Sequence, residues 1–154
     1  MAEPDAPPAL RVDHLAVGDA MPERRVGPIR QEHLVRYAGA SGDFNPFHFD
    51  AELARSRGFK DVFAQGLFTA GILGETLRAW AGPALLRRLK FRFKEPVWLG
   101  DELTFRAVVT EIHADDHGRR RAELECRVIA ADGREVLSGS ATLGEPPRPD
   151  QRTT

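Results

Sequence analysis

The hydrophobic positions of this chain change period halfway along. In the first half they recur at helical spacing. "IRQEHLVRYAGAS" places Ile29, His33/Leu34, Tyr37 and Ala40 on one stripe, and "FDAELARSRGF" predicts a short second helix capped by Asp50, whose carboxylate suits the unpaired N–H groups of a first turn. "FAQGLFTAGILGETLRAWAG" follows, with Leu67, Phe68, Ala70, Ile72, Leu73, Leu77 and Trp80 spread around most of its circumference. A helix apolar nearly all round is a buried one, and its small residues Ala70, Gly71 and Gly74 let a sheet or another helix come close. Ahead of these helices, "MPERRVGPI" reads as a short β segment.

From residue 85 onward the period becomes that of strands with one buried face. Leu85, Leu89, Phe91 and Phe93 alternate with Arg88, Lys90, Arg92 and Lys94, interrupted only by Arg87. Leu103, Phe105, Ala107 and Val109 form one face of "ELTFRAVVTEI"; in "RAELECRVIA", Ala122, Leu124, Cys126 and Val128 oppose Glu123, Glu125 and Arg127. "GREVLSGSATL" supplies a last strand, and "EPVWLGD", "HADDHGR" and "AADGRE" carry turn chemistry, with Asp132-Gly133 a hairpin signal. Helices first and an antiparallel meander second predict an α+β fold whose sheet covers the buried helix.

Composition narrows the picture. A chain of 154 residues is long enough for one domain and short for two. With 42% hydrophobic and 29% charged residues it reads as globular. The ends, 1–9 and 145–154, rich in proline and charge, read as flexible tails around a domain over 10–144. A formal charge of -1 provides no global field to draw nucleic acid or an anionic membrane. No apolar run reaches spanning length, and "MAEPDAPPALRVD" lacks the marks of a secretory signal, so a cytoplasmic protein is expected. The single cysteine, Cys126, excludes an intrachain disulfide or thiolate cluster, and its strand position reads as packing.

The chemistry concentrates in "YAGASGDFNPFHFD", residues 37–50. Gly42-Asp43 and Asn45-Pro46 are turn formers, but a plain connection needs no His48 among phenylalanines. Asp43 and His48 alone would read as a turn cap and a core filler. Ser41 and Asn45 alone would read as turn residues. The whole string S-G-D-x-N-P-x-H-x-D, followed by "VFAQGLFTAGIL", resembles the hydratase signature of the MaoC-like dehydratases, the (R)-specific enoyl-thioester hydratase family of the hotdog fold. The similarity covers most of the chain.

The resemblance implies a single hotdog domain, an antiparallel sheet wrapped around a long buried helix. It implies Asp43 and His48 as a catalytic acid/base pair, Asn45 as a loop residue that helps hold it, and Gly66 as the backbone N–H facing a thioester carbonyl. Ser41 and Gln65 complete the candidate substrate side; Gln65 stands where many relatives carry histidine. The implied reaction is reversible hydration of a trans-2-enoyl thioester to an (R)-3-hydroxyacyl thioester, on CoA or acyl carrier protein. No metal and no cofactor beyond the acyl carrier is expected, and the implied assembly is a homodimer or a heterodimer with a related hotdog subunit. Two alternatives are a hotdog thioesterase, against which the string argues, and a non-catalytic acyl-thioester-binding subunit, which would have no need of both Asp43 and His48.

These residue types suit that chemistry. Hydration of the double bond needs a held water, a proton acceptor, a proton donor to the α carbon, and stabilisation of enolate-like charge on the thioester oxygen. Histidine titrates near neutral pH whereas an ordinary aspartate is ionised there, so His48 can exchange the proton while Asp43 orients the water, or the two can share both tasks. Gly66 N–H, at a helix start, lies where aligned peptide dipoles favour negative charge. The row Arg87, Arg88, Lys90, Arg92 and Lys94 reads either as a solvated sheet face or as a contact for CoA phosphates or an acidic carrier protein. His14, His33, His113 and His117 lie away from the motif and read as surface or packing residues.

Overall fold

The computed structural model describes residues 12–82 and 85–144, and the expected tails, 1–9 and 145–154, lie outside the described residues. In chain order the elements are β1 (Arg24–Val26), α1 (Gln31–Ser41), α2 (Ala51–Ser56), α3 (Gly66–Ala81), β2 (Leu86–Phe93), β3 (Leu103–Ala114), β4 (Arg120–Ala130) and β5 (Glu135–Gly144). Short 3-10 turns lie at Val12–His14 and Pro46–His48.

The strands form one antiparallel sheet in the order β1-β3-β4-β5-β2. Alternation decides its faces. Leu103, Phe105, Ala107 and Val109 of β3 and Ala122, Leu124, Cys126 and Val128 of β4 are all buried, and they meet in register as Phe105 opposite Val128 and Ala107 opposite Cys126. A slip of one residue would turn this set to solvent and carry Glu123, Glu125 and Arg127 inward, so burial pins the register. Gly133 closes the β4–β5 hairpin at a φ of 91°, a conformation that glycine adopts without a Cβ clash.

The expected meander runs only through β3, β4 and β5. β2 pairs instead with the far side of β5, Phe91 opposite Gly139, and so becomes an edge strand with Phe91 and Phe93 partly exposed. Alternation is the same whichever neighbour a strand chooses, which is why the sequence period is silent on this point.

Helix α3 lies on the buried face of the sheet, with Ala70, Leu73, Leu77 and Ala81 in the core. Leu73 and Leu77 are fully buried, each contributing about 2 kcal/mol of apolar transfer. The helix is not buried all round as its composition predicts: Leu67 is 57% exposed, and Ile72 and Trp80 are half-buried. One sheet covers one face of a helix. On another face α1 contributes His33 and Tyr37, whose rings pack on Phe68. In α1 the buried pair is Leu34 and Ala38, while Ala40, expected on that stripe, faces solvent. Asp50 caps α2 as expected, its carboxylate accepting from Leu53 N–H at 2.9 Å. Among the described residues no helix is long and apolar enough to cross a membrane.

Candidate active site

Helix α1 stops at Ser41 because Gly42 turns left-handed, at a φ of 75°, and returns its N–H to Ala38 O. The loop that follows is held by its own polar side chains. Ser41 Oγ donates to Tyr37 O at 2.7 Å and accepts from Asp43 N–H at 3.2 Å. Asp43 Oδ1 accepts from Asn45 N–H at 3.3 Å, and Asn45 Oδ1 accepts from Phe47 N–H at 3.2 Å, which starts the Pro46–His48 turn. Pro46 fits there because a first-turn residue has no use for its N–H. Gln31 Nε2 then donates to His48 O at 3.2 Å and ties the turn to the start of α1.

This scaffold sets Asp43 and His48 face to face, with Oδ2 and Nε2 3.8 Å apart. His48 is 7% exposed, edge-on to the Phe63 ring, with Nδ1 2.7 Å from Phe63 O. A carbonyl only accepts, so Nδ1 carries a hydrogen, and in the neutral form of the ring the lone pair is on Nε2, the nitrogen that faces Asp43. The 3.8 Å span is too long for a direct hydrogen bond. It suits a water lying about 2.8 Å from each atom and donating one hydrogen to each.

The aromatics Phe44 and Phe49, which flank the pair in the sequence, do not exclude bulk solvent: each is more than half exposed. The tight turn directs His48 inward and leaves these neighbours outside. Shielding comes from Phe63, which packs with Phe47, Phe59 and Trp98, and it covers His48 more than Asp43, whose side chain is 43% exposed.

Two cavities adjoin the pair. The larger, about 450 Å3, is lined by Asp43, Gly66, Thr69, Phe93, Val97 and Val136 among others. The smaller, about 250 Å3, is lined by Leu34, Ala38, Phe44, His48 and Gln65 among others. Gly66 is the first residue of α3, so its N–H belongs to the group without an intrahelical acceptor. A Cβ at Gly66 would stand 2.7 Å from Cζ of Phe93, so glycine is what lets the Phe93 ring approach the start of α3 this closely. Gln65 is buried just before it; Nε2 donates to Leu34 O at 3.2 Å and braces α3 against α1, while Oε1 has no partner among the described residues.

The structure therefore sets Asp43 opposite His48, with Asp43 and Gly66 lining one cavity and His48 and Gln65 the other. The side chains of Ser41 and Asn45 are engaged by the loop backbone, and neither is among the residues lining those cavities. Sequence reasoning missed Thr69, Phe93, Val97 and Val136 as lining residues. Thr69 was inconspicuous in an apolar helix. Val136 is the extra residue of a β-bulge between the Val128–Leu137 and Ile129–Glu135 pairs, which alternation cannot foresee.

Other candidates fall away from the cavities. Cys126 is buried in β4, and burial pushes its thiol up to about 12, which keeps it neutral. His33 Nδ1 accepts from Arg30 N–H at 3.1 Å, and His113 Nε2 meets Glu123 Oε1 at 3.1 Å. Among the described residues no group of three or more His, Cys, Asp or Glu side chains could hold a metal ion. Lys90 and Arg92 of β2 and Lys94 just after it line an open groove with Ser138 and Ser140, while Arg87 Nε donates to Gly144 O at 3.0 Å.

Known proteins share this arrangement of sequence and fold. The domain pattern described as MaoC like domain matches residues 14–132. The chain is 33% identical over 144 residues to a 3-hydroxybutyryl-CoA dehydratase of Methylorubrum extorquens, covering 90% of this chain and 88% of that one. It is 29% identical over 128 residues to a mitochondrial 3-hydroxyacyl-(acyl-carrier-protein) dehydratase of Solanum lycopersicum, covering 83% and 76%. Among solved structures, the R-hydratase PhaJ1 of Pseudomonas aeruginosa in its unliganded form superposes with a TM-score of 0.77 at 28% identity, covering 90% of this chain and 86% of that one. With the pattern, a relative matched over nearly its whole length and the fold in agreement, this chain belongs to the MaoC-like dehydratase domain family.

Proposed function

We propose that this protein catalyses the reversible addition of water to a trans-2-enoyl thioester, giving an (R)-3-hydroxyacyl thioester, with the acyl group carried on CoA or acyl carrier protein. The observation that carries this reading is the pair Asp43 Oδ2 and His48 Nε2, 3.8 Å apart, with the other imidazole nitrogen tied to Phe63 O and a cavity lined by Asp43 and Gly66 beside it. One relative is named for a CoA thioester and another for a carrier-protein thioester, and the thioester is what the two names share.

In the hydration direction, a water held between Asp43 and His48 loses a proton to Nε2 as its oxygen bonds to the β carbon. The electron pair of the double bond moves onto the thioester oxygen, where Gly66 N–H and the aligned dipoles of α3 meet the developing charge. One proton then passes from the pair to the α carbon, the carbonyl is restored, and one water has been added with no other reactant consumed. Ser41 and Asn45 act on the loop and Gln65 on the packing of α3. The edge of β2, with Phe91 and Phe93 partly exposed, is where a second subunit, identical or related, would add.

The test is a panel of trans-2-enoyl thioesters of graded chain length on both carriers, following loss of the conjugated absorbance and release of free thiol in parallel. Absorbance should fall to an equilibrium without thiol release. Thiol appearing at the same rate would make the protein a thioesterase, and no change with any substrate on either carrier would refute the hydratase reading.

A further inference from the structure

Helix α3 carries two buried threonines, and the fold treats them differently. Thr76 Oγ1 donates to Ile72 O at 2.7 Å, the usual bond of a helical threonine to the carbonyl one turn back. Thr69 is 3% exposed, yet its Oγ1 has no hydrogen-bond partner among the described residues. A buried hydroxyl without a partner is destabilising, and native folds keep few of them. Thr69 lines the same cavity as Asp43 and Gly66. It follows Gly66 by three positions in α3, hence on the same face, and helical side chains lean toward the N-terminus. Its Cβ therefore leans toward the turn where Gly66 has no side chain, on the side of the N–H groups that have no intrahelical acceptor.

We infer that Thr69 is a second donor to the thioester carbonyl oxygen. Its Oγ1–H and Gly66 N–H engage the two lone pairs of that oxygen and hold the negative charge that gathers there as water adds. The inference rests on the hydratase reading above. It accounts for the missing partner: the substrate supplies the acceptor that the protein does not. The hydroxyl transfers no proton, so its contribution is greatest when the oxygen is most negative, and its loss should appear in kcat more than in KM.

Thr69→Val removes the donor at nearly constant shape, and Thr69→Ser keeps it. With trans-2-butenoyl-CoA as the probe, Thr69→Val should lower kcat by about a hundredfold with KM much less affected. Thr69→Ser should stay within about threefold of wild type. The melting temperature of substrate-free Thr69→Val should not fall, because the hydroxyl it removes bonds nothing in the protein. Wild-type kcat in Thr69→Val, alongside an inactive Asp43→Asn, would overturn the Thr69 assignment and leave the dyad standing. Equal losses in the valine and serine variants, each with a lowered melting temperature, would also overturn it, as packing effects. Should Thr69→Val not fold, Thr69→Ala carries the same comparison of kcat against Thr69→Ser. A wild-type protein that hydrates no enoyl thioester overturns both the hydratase reading and this inference.

Discussion

Replacing His48 by asparagine separates the two tasks of its ring. Nδ1 donates to Phe63 O at 2.7 Å and fastens the loop to the Phe63 segment, while Nε2 faces Asp43 at 3.8 Å. An asparagine amide nitrogen reaches close to the Nδ1 position and can keep the first contact, but it places nothing at Nε2. Loss of the base should lower the hydration rate at least about a hundredfold, equivalent to about 2.7 kcal/mol of barrier. The stability change is smaller. The hydrogen bond, contributing about 1 kcal/mol, is retained, and the edge-on contact of the ring with Phe63, also about 1 kcal/mol, is lost. For a domain of this size that loss lowers the melting temperature by about 3 °C. His48→Gln does the reverse, reaching toward Nε2 and leaving Phe63 O without its donor, which adds about 1–3 kcal/mol of destabilisation. Asp43→Asn retains an oxygen for Asn45 N–H, so it should keep its melting temperature, lose rate to a similar degree, and combine with His48→Asn with little further loss. Initial hydration rates and thermal melts on the three variants and the double variant decide the matter. A folded His48→Asn protein that keeps more than about a tenth of the wild-type rate would refute Nε2 as the base.

Gly66→Ala puts a Cβ 2.7 Å from the Phe93 ring, whose partly exposed outer end is the part that must give way. Turnover should fall more than about tenfold with the melting temperature nearly unchanged, and wild-type kinetics would place the carbonyl elsewhere. Gln65→Leu removes the donor to Leu34 O but also the unpartnered Oε1, two opposed effects of about 1 kcal/mol each, so stability should hold and the rate drop modestly. A rate loss as deep as that of Asp43→Asn, at an unchanged melting temperature, would put Gln65 into the chemistry. Burial would raise the pKa of Asp115, but hydrogen bonds from the Arg119 and His117 N–H groups and from the Arg121 and Arg119 side chains outweigh it and hold the carboxyl well below the usual range. A lowered folded-state pKa stabilises above the unfolded value of about 3.9 and is lost as pH falls below it. Asp115→Asn should therefore lower the melting temperature at pH 7 and flatten its decline below about pH 4; melts with an unaltered acid limb would refute that pairing.

The sequence by itself determined the local structure and singled out Asp43 and His48 as the candidate pair. The faces of β3 and β4 follow from Leu103-Phe105-Ala107-Val109 and Ala122-Leu124-Cys126-Val128, because alternation is a relation between near neighbours in the chain. The cap at Asp50, the stop at Gly42 and the turn at Asn45-Pro46 were legible for the same reason. Asp43 and His48 stood out because the string around them is longer than turn chemistry requires. Tertiary structure alone decided what depends on distant partners. It placed β2 beside β5, left Leu67, Phe44 and Phe49 exposed, and turned Val136 into the cavity through a bulge. It fixed the tautomer of His48 through Phe63 O, fifteen positions away, and left the buried hydroxyl of Thr69 without an acceptor. Periodicity records which side of an element is apolar. Which side is covered, which nitrogen keeps its hydrogen and which buried hydroxyl is left without an acceptor are set by long-range packing that no local pattern encodes.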